Sequence, residues 1–201
     1  MSRPVVVKVG GSLLGWPGLP DRLSEYLDAR RRGGDRVILV VGGGPIADAI
    51  RDLDRIHALG ESRSHGLALR ALDLTAHALA ALVPGTRVTD EFDALAAIPS
   101  TDPVPILAPR RFLDDDDRSA FPLPQAWTTT TDAIAARLAV RLGAIELALL
   151  KSAPLPFLTD RREAARLGLV DPEFPGAAEG LPIVSYKNLR DPSGVTRTLA
   201  P

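Results

Sequence analysis

The stretch that decides the fold is Pro4-Val5-Val6-Val7-Lys8-Val9-Gly10-Gly11-Ser12-Leu13. An unbroken β-branched run reads as a strand buried on both faces, as in the middle of a parallel sheet. A lysine inside such a run is costly unless an anion receives it. Gly10 and Gly11 follow at once, and glycine lets backbone N–H groups come close to a ligand. Strand, lysine and glycine turn together describe a phosphate site.

Composition sharpens that reading. The chain holds three lysines (Lys8, Lys151 and Lys187) against twenty-one arginines. Arginine therefore carries the ordinary surface charge, and a retained lysine calls for a reason. Lys8 and Lys151 each close an apolar run. A compact, mobile point charge suits a migrating phosphoryl group better than a rigid guanidinium fork. A strand-end lysine that only snorkels to solvent is the plainer alternative.

The 201 residues suit one α/β domain, 1–201. Hydrophobic residues make up 45% and aromatics only 4%, so the core is aliphatic. A net charge of −1 gives no electrostatic ground for nucleic acid or membrane partners. The absence of cysteine excludes disulfides, thiolate metal sites and thiol nucleophiles. The first strand opens without a signal peptide, and the expected location is cytoplasmic.

Outward from the first turn, apolar spacing predicts a helix over Leu19–Arg32, stopped by Gly33-Gly34. Arg36–Val41 reads as a second buried strand. Gly42-Gly43-Gly44-Pro45 and a helix to about Leu59 follow. A long helix is predicted over Glu61–Leu82. Asp73 and His77 share one of its faces, either as a surface pair or because the helix borders an acceptor pocket. Short elements are expected at Arg87–Thr89 (strand), Glu91–Ala97 (helix) and Val104–Ala108 (strand). Arg110–Gln125 reads as irregular, with Asp114–Asp117 as a solvated turn. Thr128-Thr129-Thr130-Thr131-Asp132 opens an alanine-rich helix that ends at Gly143. Capping needs one such residue, not five. Glu146–Leu150 is a third buried strand running into Lys151-Ser152. Beyond it, a helix over Asp160–Leu167, a loop over Leu169–Gly176 and edge strands at Pro182–Ser185 and Val195–Leu199 are expected.

In a parallel sheet, ligands sit at the carboxyl ends of the strands. There the pattern gathers Lys8 with Gly10-Gly11, Gly42 to Gly44, the threonine turn with Asp132, and Lys151. Glycine turns leading to helix N-termini bind anions. Two lysines with one aspartate between them supply the positioning and charge that phosphoryl transfer needs.

These same residues carry a resemblance. Lys8-Val9-Gly10-Gly11-Ser12, Val41-Gly42-Gly43-Gly44, Thr131-Asp132 with Ala135-Ala136, and Leu149-Leu150-Lys151-Ser152 resemble the amino acid kinase superfamily, over about residues 4–152. The resemblance implies a three-layer αβα sandwich around a mostly parallel sheet, like that of carbamate kinase. Leu123-Pro124-Gln125-Ala126-Trp127 and Val170-Asp171-Pro172-Glu173-Phe174 are similar to the short kinases of methanofuran biosynthesis, which phosphorylate an aminomethylfuran phosphate with ATP. By resemblance, Lys8 and Lys151 stabilise the transferring group and Asp132 orients them. Gly10, Gly11, Ser12, Thr131 and Ser152 bind nucleotide phosphates. Gly42, Gly43, Gly44 and His65 face a phosphorylated or carboxylated acceptor. The implied cofactors are ATP and Mg²⁺, the latter held mostly by the nucleotide, and a homodimer or larger homo-oligomer is implied. The acceptor side would cover about 1–127 and a shortened nucleotide side about 128–201. Asp171, Pro172 and Lys187 fall where the adenine side is expected. Thr128 replaces the asparagine that many larger relatives carry, and no Asp-Gly-Val-Tyr segment follows Lys151.

Two other readings stay open at this point. One is a kinase-like fold that only binds a nucleotide or oxyanion. The other is a dinucleotide-dependent oxidoreductase, since Gly42-x-Gly44-x-x-Ala47 fits a dinucleotide turn; that reading leaves Lys8 and Lys151 unexplained.

Overall fold

Strand β1 (Pro4–Val9) lies between β2 (Arg36–Val41) and β5 (Glu146–Lys151), parallel to both and buried along its whole length. The computed structural model describes residues 4–201 except 96, 98, 100–102, 157 and 158. A 3-10 turn (Gly11–Leu13) and α1 (Leu19–Arg32) connect β1 to β2. Then come α2 (Gly44–His57), α3 (Glu61–Leu82), β3 (Thr86–Thr89), α4 (Phe92–Leu95) and β4 (Val104–Leu107). The chain continues through α5 (Arg110–Asp116) and α6 (Thr131–Arg141) to β5. It ends with α7 (Arg161–Arg166), α8 (Phe174–Ala177), β6 (Ile183–Asn188) and β7 (Thr196–Thr198).

The sheet order is β3-β4-β2-β1-β5-β6-β7, parallel throughout except for the antiparallel β6–β7 pair. The chain winds from β1 out to the β3 edge, returns through β4 and crosses to β5 on the other side of β1. The direction of winding thus reverses beside β1, which leaves a crevice at the carboxyl ends of β1, β2 and β5.

Strand alternation sorts the core into two layers. Val5, Val7 and Val9 pack against Leu19, Leu23 and Leu27 of α1 and the second half of α3. Val6, Val40, Leu147 and Leu149 pack against α6, with Phe174 of α8 and Phe112 of α5 on the same side. Lys8 shares the parity of Val6, and Lys151 that of Leu149. Both lysines therefore project toward α6.

The expected αβα sandwich with a mostly parallel sheet is present, and α1, β2 and α3 keep their expected bounds. Three expectations are corrected. Arg110–Gln125 is not irregular throughout, because α5 occupies Arg110–Asp116 and buries Phe112 and Leu113. Its Asp116 is 1% exposed. That carboxylate accepts the Leu123 N–H at 3.2 Å and pairs with Arg137 at 3.7 Å and Arg141 at 3.5 Å. The aspartate run is therefore not a solvated turn. Asp114 pairs with Arg110, Asp115 with Arg118, and Asp117 accepts from Gln125. Second, the strand expected at the edge over Pro182–Ser185 is β6, an inner strand reaching Asn188; of the two C-terminal strands expected at an edge, β7 alone lies at one. Third, the loop expected over Leu169–Gly176 runs into α8. The helix expected over Glu91–Ala97 is described at Phe92–Leu95, and Ala96 lies outside the described residues.

Candidate active site

The centre of the crevice is one carboxylate held by two ammonium groups. Lys8 Nζ lies 2.9 Å from Asp132 Oδ1, and Lys151 Nζ lies 2.7 Å from Asp132 Oδ2. Lys8 is 5% and Asp132 4% exposed. The lysines stand on adjacent strands, where Lys8 pairs in register with Leu149 and sits two positions short of Lys151 along β5. Asp132 comes from the first turn of α6, whose N-cap is Thr130. Burial opposes ionisation of Asp132, but Lys8 and Lys151 outweigh it and hold the carboxyl below its ordinary value. Burial and then Lys8 pull the Lys151 ammonium down to about 8, against the attraction of Asp132 and Asp171. Lys151 also donates to the Leu169 carbonyl at 2.8 Å.

The two glycine turns pack on each other beside this centre. A Cβ on Gly11 would lie 2.3 Å from the Gly44 nitrogen, and one on Gly42 would lie 2.6 Å from the Gly11 nitrogen. Gly44 also has a φ of +49°, which a side chain disfavours. Packing alone therefore demands glycine at these positions. The Gly10 N–H is engaged by Leu150 O at 2.8 Å and the Gly42 N–H by Val9 O at 2.9 Å, so these two shape the turns. Ser12 and Ser152 face each other with hydroxyls 2.8 Å apart.

A cavity of about 260 Å³ opens on the α2–α3 side of the centre. Lys8, Gly11, Ser12, Gly42–Gly44, His65, Thr130 and Thr131 line it. His65 is 8% exposed; burial lowers its pKa, against a hydrogen bond with the Ala126 backbone. The α3 helix does border this cavity, through His65, Ala68, Leu69 and Leu72. Asp73 instead binds Arg110, through its N–H and Nε at 3.3 Å. His77 is exposed.

Sequence reasoning missed Arg51 and Trp127 in the cavity wall. The Arg51 guanidinium stacks 4.9 Å from the Trp127 ring centre and donates to Asp48 at 2.7 Å. The Trp127 indole N–H donates to Asp54 at 2.8 Å. The only cues were a tryptophan beside the threonine turn and an arginine one helical face beyond the glycines.

The threonine run divides its work. Thr129 donates to Pro124 O at 2.6 Å and ties down the preceding connector. Thr130 caps α6, and Thr131 lines the cavity. The adenine-side candidates do not group together. Asp171 binds the start of α6 through Thr130 and Ala133. Pro172 follows it. Lys187 alternates with Tyr186 on β6, so it points to the opposite face of the sheet, where it donates to Gly194 O. The structure does not bring Lys187 to the Lys8–Lys151 centre. A second cavity of about 260 Å³, lined by Pro154, Leu155, Tyr186 and Asn188 among others, opens near the ends of β5 and β6. Among the described residues no three metal-ligating side chains converge.

Residues 3–155 match the amino acid kinase family. The chain belongs to that family. Over 129 residues it is 26% identical to [5-(aminomethyl)furan-3-yl]methyl phosphate kinase of Methanocaldococcus jannaschii, covering 64% of this chain and 56% of the relative. It thus spans little more than half the length of that curated relative. UMP kinase from Ureaplasma parvum superposes with a TM-score of 0.69 at 14% identity, over the whole of both chains. Aspartate kinase from Synechocystis gives 0.68 at 17% identity, over 98% of this chain and 40% of the other. Uridylate kinase from Archaeoglobus fulgidus gives 0.53 at 23% identity, over 75% and 63%. These structures share the fold. In this amino acid kinase family member Gly42 and Gly44 abut Gly11, so the dinucleotide reading loses its main feature. No helix among the described residues is long and apolar enough to cross a membrane.

Proposed function

We propose that the protein transfers the γ-phosphoryl group of ATP to a phosphate or carboxylate oxygen of a small acceptor. The observation that carries this reading is the Lys8–Asp132–Lys151 bridge set beside two mutually packed glycine turns. In the reaction an acceptor oxygen bonds to the γ-phosphorus, the bond to the bridging oxygen breaks, and ADP leaves with that oxygen. Negative charge then spreads over the transferring group, and Lys8 and Lys151 stabilise it. Both Asp132 oxygens are taken by lysines, so the centre offers no free carboxylate base. An acceptor whose oxygen is already ionised at neutral pH needs none, which favours phosphate or carboxylate over hydroxyl.

Gly11, Ser12 and Ser152 would hold the nucleotide phosphates, with Gly10 shaping the turn. The base would lie toward the cavity at Asn188 and Leu155. Mg²⁺, which neutralises charge between the phosphates, would be carried by the nucleotide, since the described residues offer it no side-chain cage. Gly43, Gly44, His65 and Arg51 would face the acceptor. On this reading residues 1–127 form the acceptor side and 128–201 the nucleotide side. The setting is cytoplasmic and the assembly a homo-oligomer, using exposed Leu67, Leu74 and Leu82 of α3.

The similarity to the Methanocaldococcus enzyme makes [5-(aminomethyl)furan-3-yl]methyl phosphate the first acceptor to try. The test supplies MgATP with that compound, UMP or aspartate, and follows ADP release and product phosphorus by ³¹P NMR. One acceptor is expected to give ADP and a new phosphoryl bond in equal amounts. No turnover together with no thermal stabilisation by MgATP or MgADP would defeat the reading in favour of an anion-binding protein.

A further inference from the structure

We infer that Asp171 is a positioning residue for the reaction centre: its segment clamps both the helix start that carries Asp132 and the ammonium of Lys151. The inference rests on the phosphoryl-transfer reading. Asp171 is 6% exposed. Its Oδ2 accepts from the Thr130 N–H at 3.0 Å, the Thr130 hydroxyl at 2.7 Å and the Ala133 N–H at 2.9 Å. By taking the Thr130 hydroxyl proton it aims that oxygen's lone pair at the Asp132 N–H, 3.5 Å away. Two residues earlier, the Leu169 carbonyl receives Lys151 Nζ at 2.8 Å. One short segment thus grips the carboxylate and one ammonium of the bridge from a third direction, neither β1 nor β5.

Capping alone does not require an aspartate here. A neutral oxygen acceptor would serve the three donors, and Asp171 Oδ1 is buried without a hydrogen bond. The extra element is charge. Burial raises the Asp171 pKa above its ordinary value, with Asp132 adding to the rise and the Ala133 and Thr130 donors opposing it; its ionised form helps to keep Lys151 protonated. The other charged groups around Lys151 are Lys8 from β1, which opposes its protonation, and Asp132 from α6, which favours it. Tyr186 from β6 has its phenol raised to about 12 by burial and stays neutral. Asp171 is the second anion of the set.

The test uses the small number of lysines. With ¹³Cε-labelled lysine the intact chain yields three side-chain signals, assigned by single Lys→Arg variants. The Lys151 signal is followed against pH in the wild type and in Asp171→Asn, which keeps an oxygen for the cap and removes the charge. The Lys151 midpoint is expected to fall by at least half a pH unit in Asp171→Asn while Lys187 does not move. Turnover with MgATP and [5-(aminomethyl)furan-3-yl]methyl phosphate is expected to drop at least tenfold in kcat, with the KM for MgATP within twofold. Asp171→Ser, short and neutral, is the second variant if the asparagine amide disturbs folding, and its Lys151 midpoint is expected to fall likewise. An unmoved midpoint, or wild-type kcat in a folded variant, overturns the inference. If the wild type turns over none of the acceptors supplied and neither MgATP nor MgADP stabilises it, the phosphoryl-transfer reading fails, and the lysine titration still reports whether Asp171 supports Lys151.

Discussion

Gly11 and Gly44 touch backbone to backbone. A Cβ on Gly11 would sit 2.3 Å from the Gly44 nitrogen, a distance that real Cβ contacts do not reach. The neighbour is main chain and cannot swing aside. Gly11→Ala is therefore expected to cost about 1–3 kcal/mol through overpacking. For a chain of this size each kcal/mol lowers Tm by roughly 2–4 °C. Gly15→Ala, with nothing within 4 Å, is the control and should melt within experimental scatter of the wild type. Equal melting of the two variants would show that the turns are further apart.

Removing a lysine or the aspartate from the bridge should act on rate first. Lys8→Met and Lys151→Met are each expected to lower kcat by about 10²–10³, the usual loss when one transition-state charge partner is deleted. Asp132→Asn leaves two buried ammonium groups facing each other and should act as strongly. It should also push the Lys151 midpoint below its value of about 8. Steady-state kinetics beside MgADP-induced thermal shifts separate lost chemistry from lost binding.

The pH dependence follows from Lys151. The proposed transfer needs its ammonium, so activity should fall as pH rises through about 8. Stability moves the other way. An unfolded lysine holds its proton to about pH 10.4, so between the two values the unfolded chain binds more protons and stability rises with pH. A pH–rate profile and melting curves over the same range check both signs.

The cavity beside α2 and α3, the acceptor side on the proposed reading, has a handle in Arg51. With its guanidinium stacked on Trp127 and hydrogen-bonded to Asp48, Arg51→Ala should raise the acceptor KM at least tenfold. Its stability cost should stay within about 1 kcal/mol, since its partners are partly exposed. Trp127→Phe, which strands the Asp54 bond but keeps a ring, should fall between Arg51→Ala and the wild type in KM.

The aspartates of α5 should separate sharply. Asp116→Ala leaves the buried Leu123 N–H without its acceptor, at a cost of about 1–3 kcal/mol. Asp115→Ala, at an exposed i,i+3 pair, should cost well under 1 kcal/mol. Chemical denaturation of the two variants decides.

Much of this was readable from residue order because the deciding strands are uniform. β1, β2 and β5 are nearly pure aliphatic runs that end in Lys8-Val9-Gly10, Val41-Gly42 and Lys151, and only a central parallel sheet uses such runs. β6 hid its inner position because Ser185, Tyr186 and Lys187 look like an edge. In place, Ser185 donates to Glu146 and Tyr186 to the Ala153 carbonyl, so the polar groups are satisfied inside the sheet. α5 hid behind an aspartate run of which Asp116 is buried, with partners distant in sequence at Arg137 and Arg141. Lysine scarcity pointed correctly to two residues on one face, but it could not tell that Lys187 has the other parity. Arg51 and Trp127 meet the site only through folding, from elements whose spacing in the chain carries no shared signal, and Asp171, expected at the adenine side, binds the start of α6 instead.

Helix α6 joins two places that the sequence keeps apart. Its eleven residues make a rod about 16 Å long, at about 1.5 Å per residue. Asp132 stands in its first turn, and Arg137 and Arg141 reach Asp116 from its later turns. A stiff rod transmits a tilt. The acidic run thus braces the far end of the helix that holds the bridge's carboxylate, so a lesion there would weaken the fold and the support of the Lys8–Asp132–Lys151 bridge together.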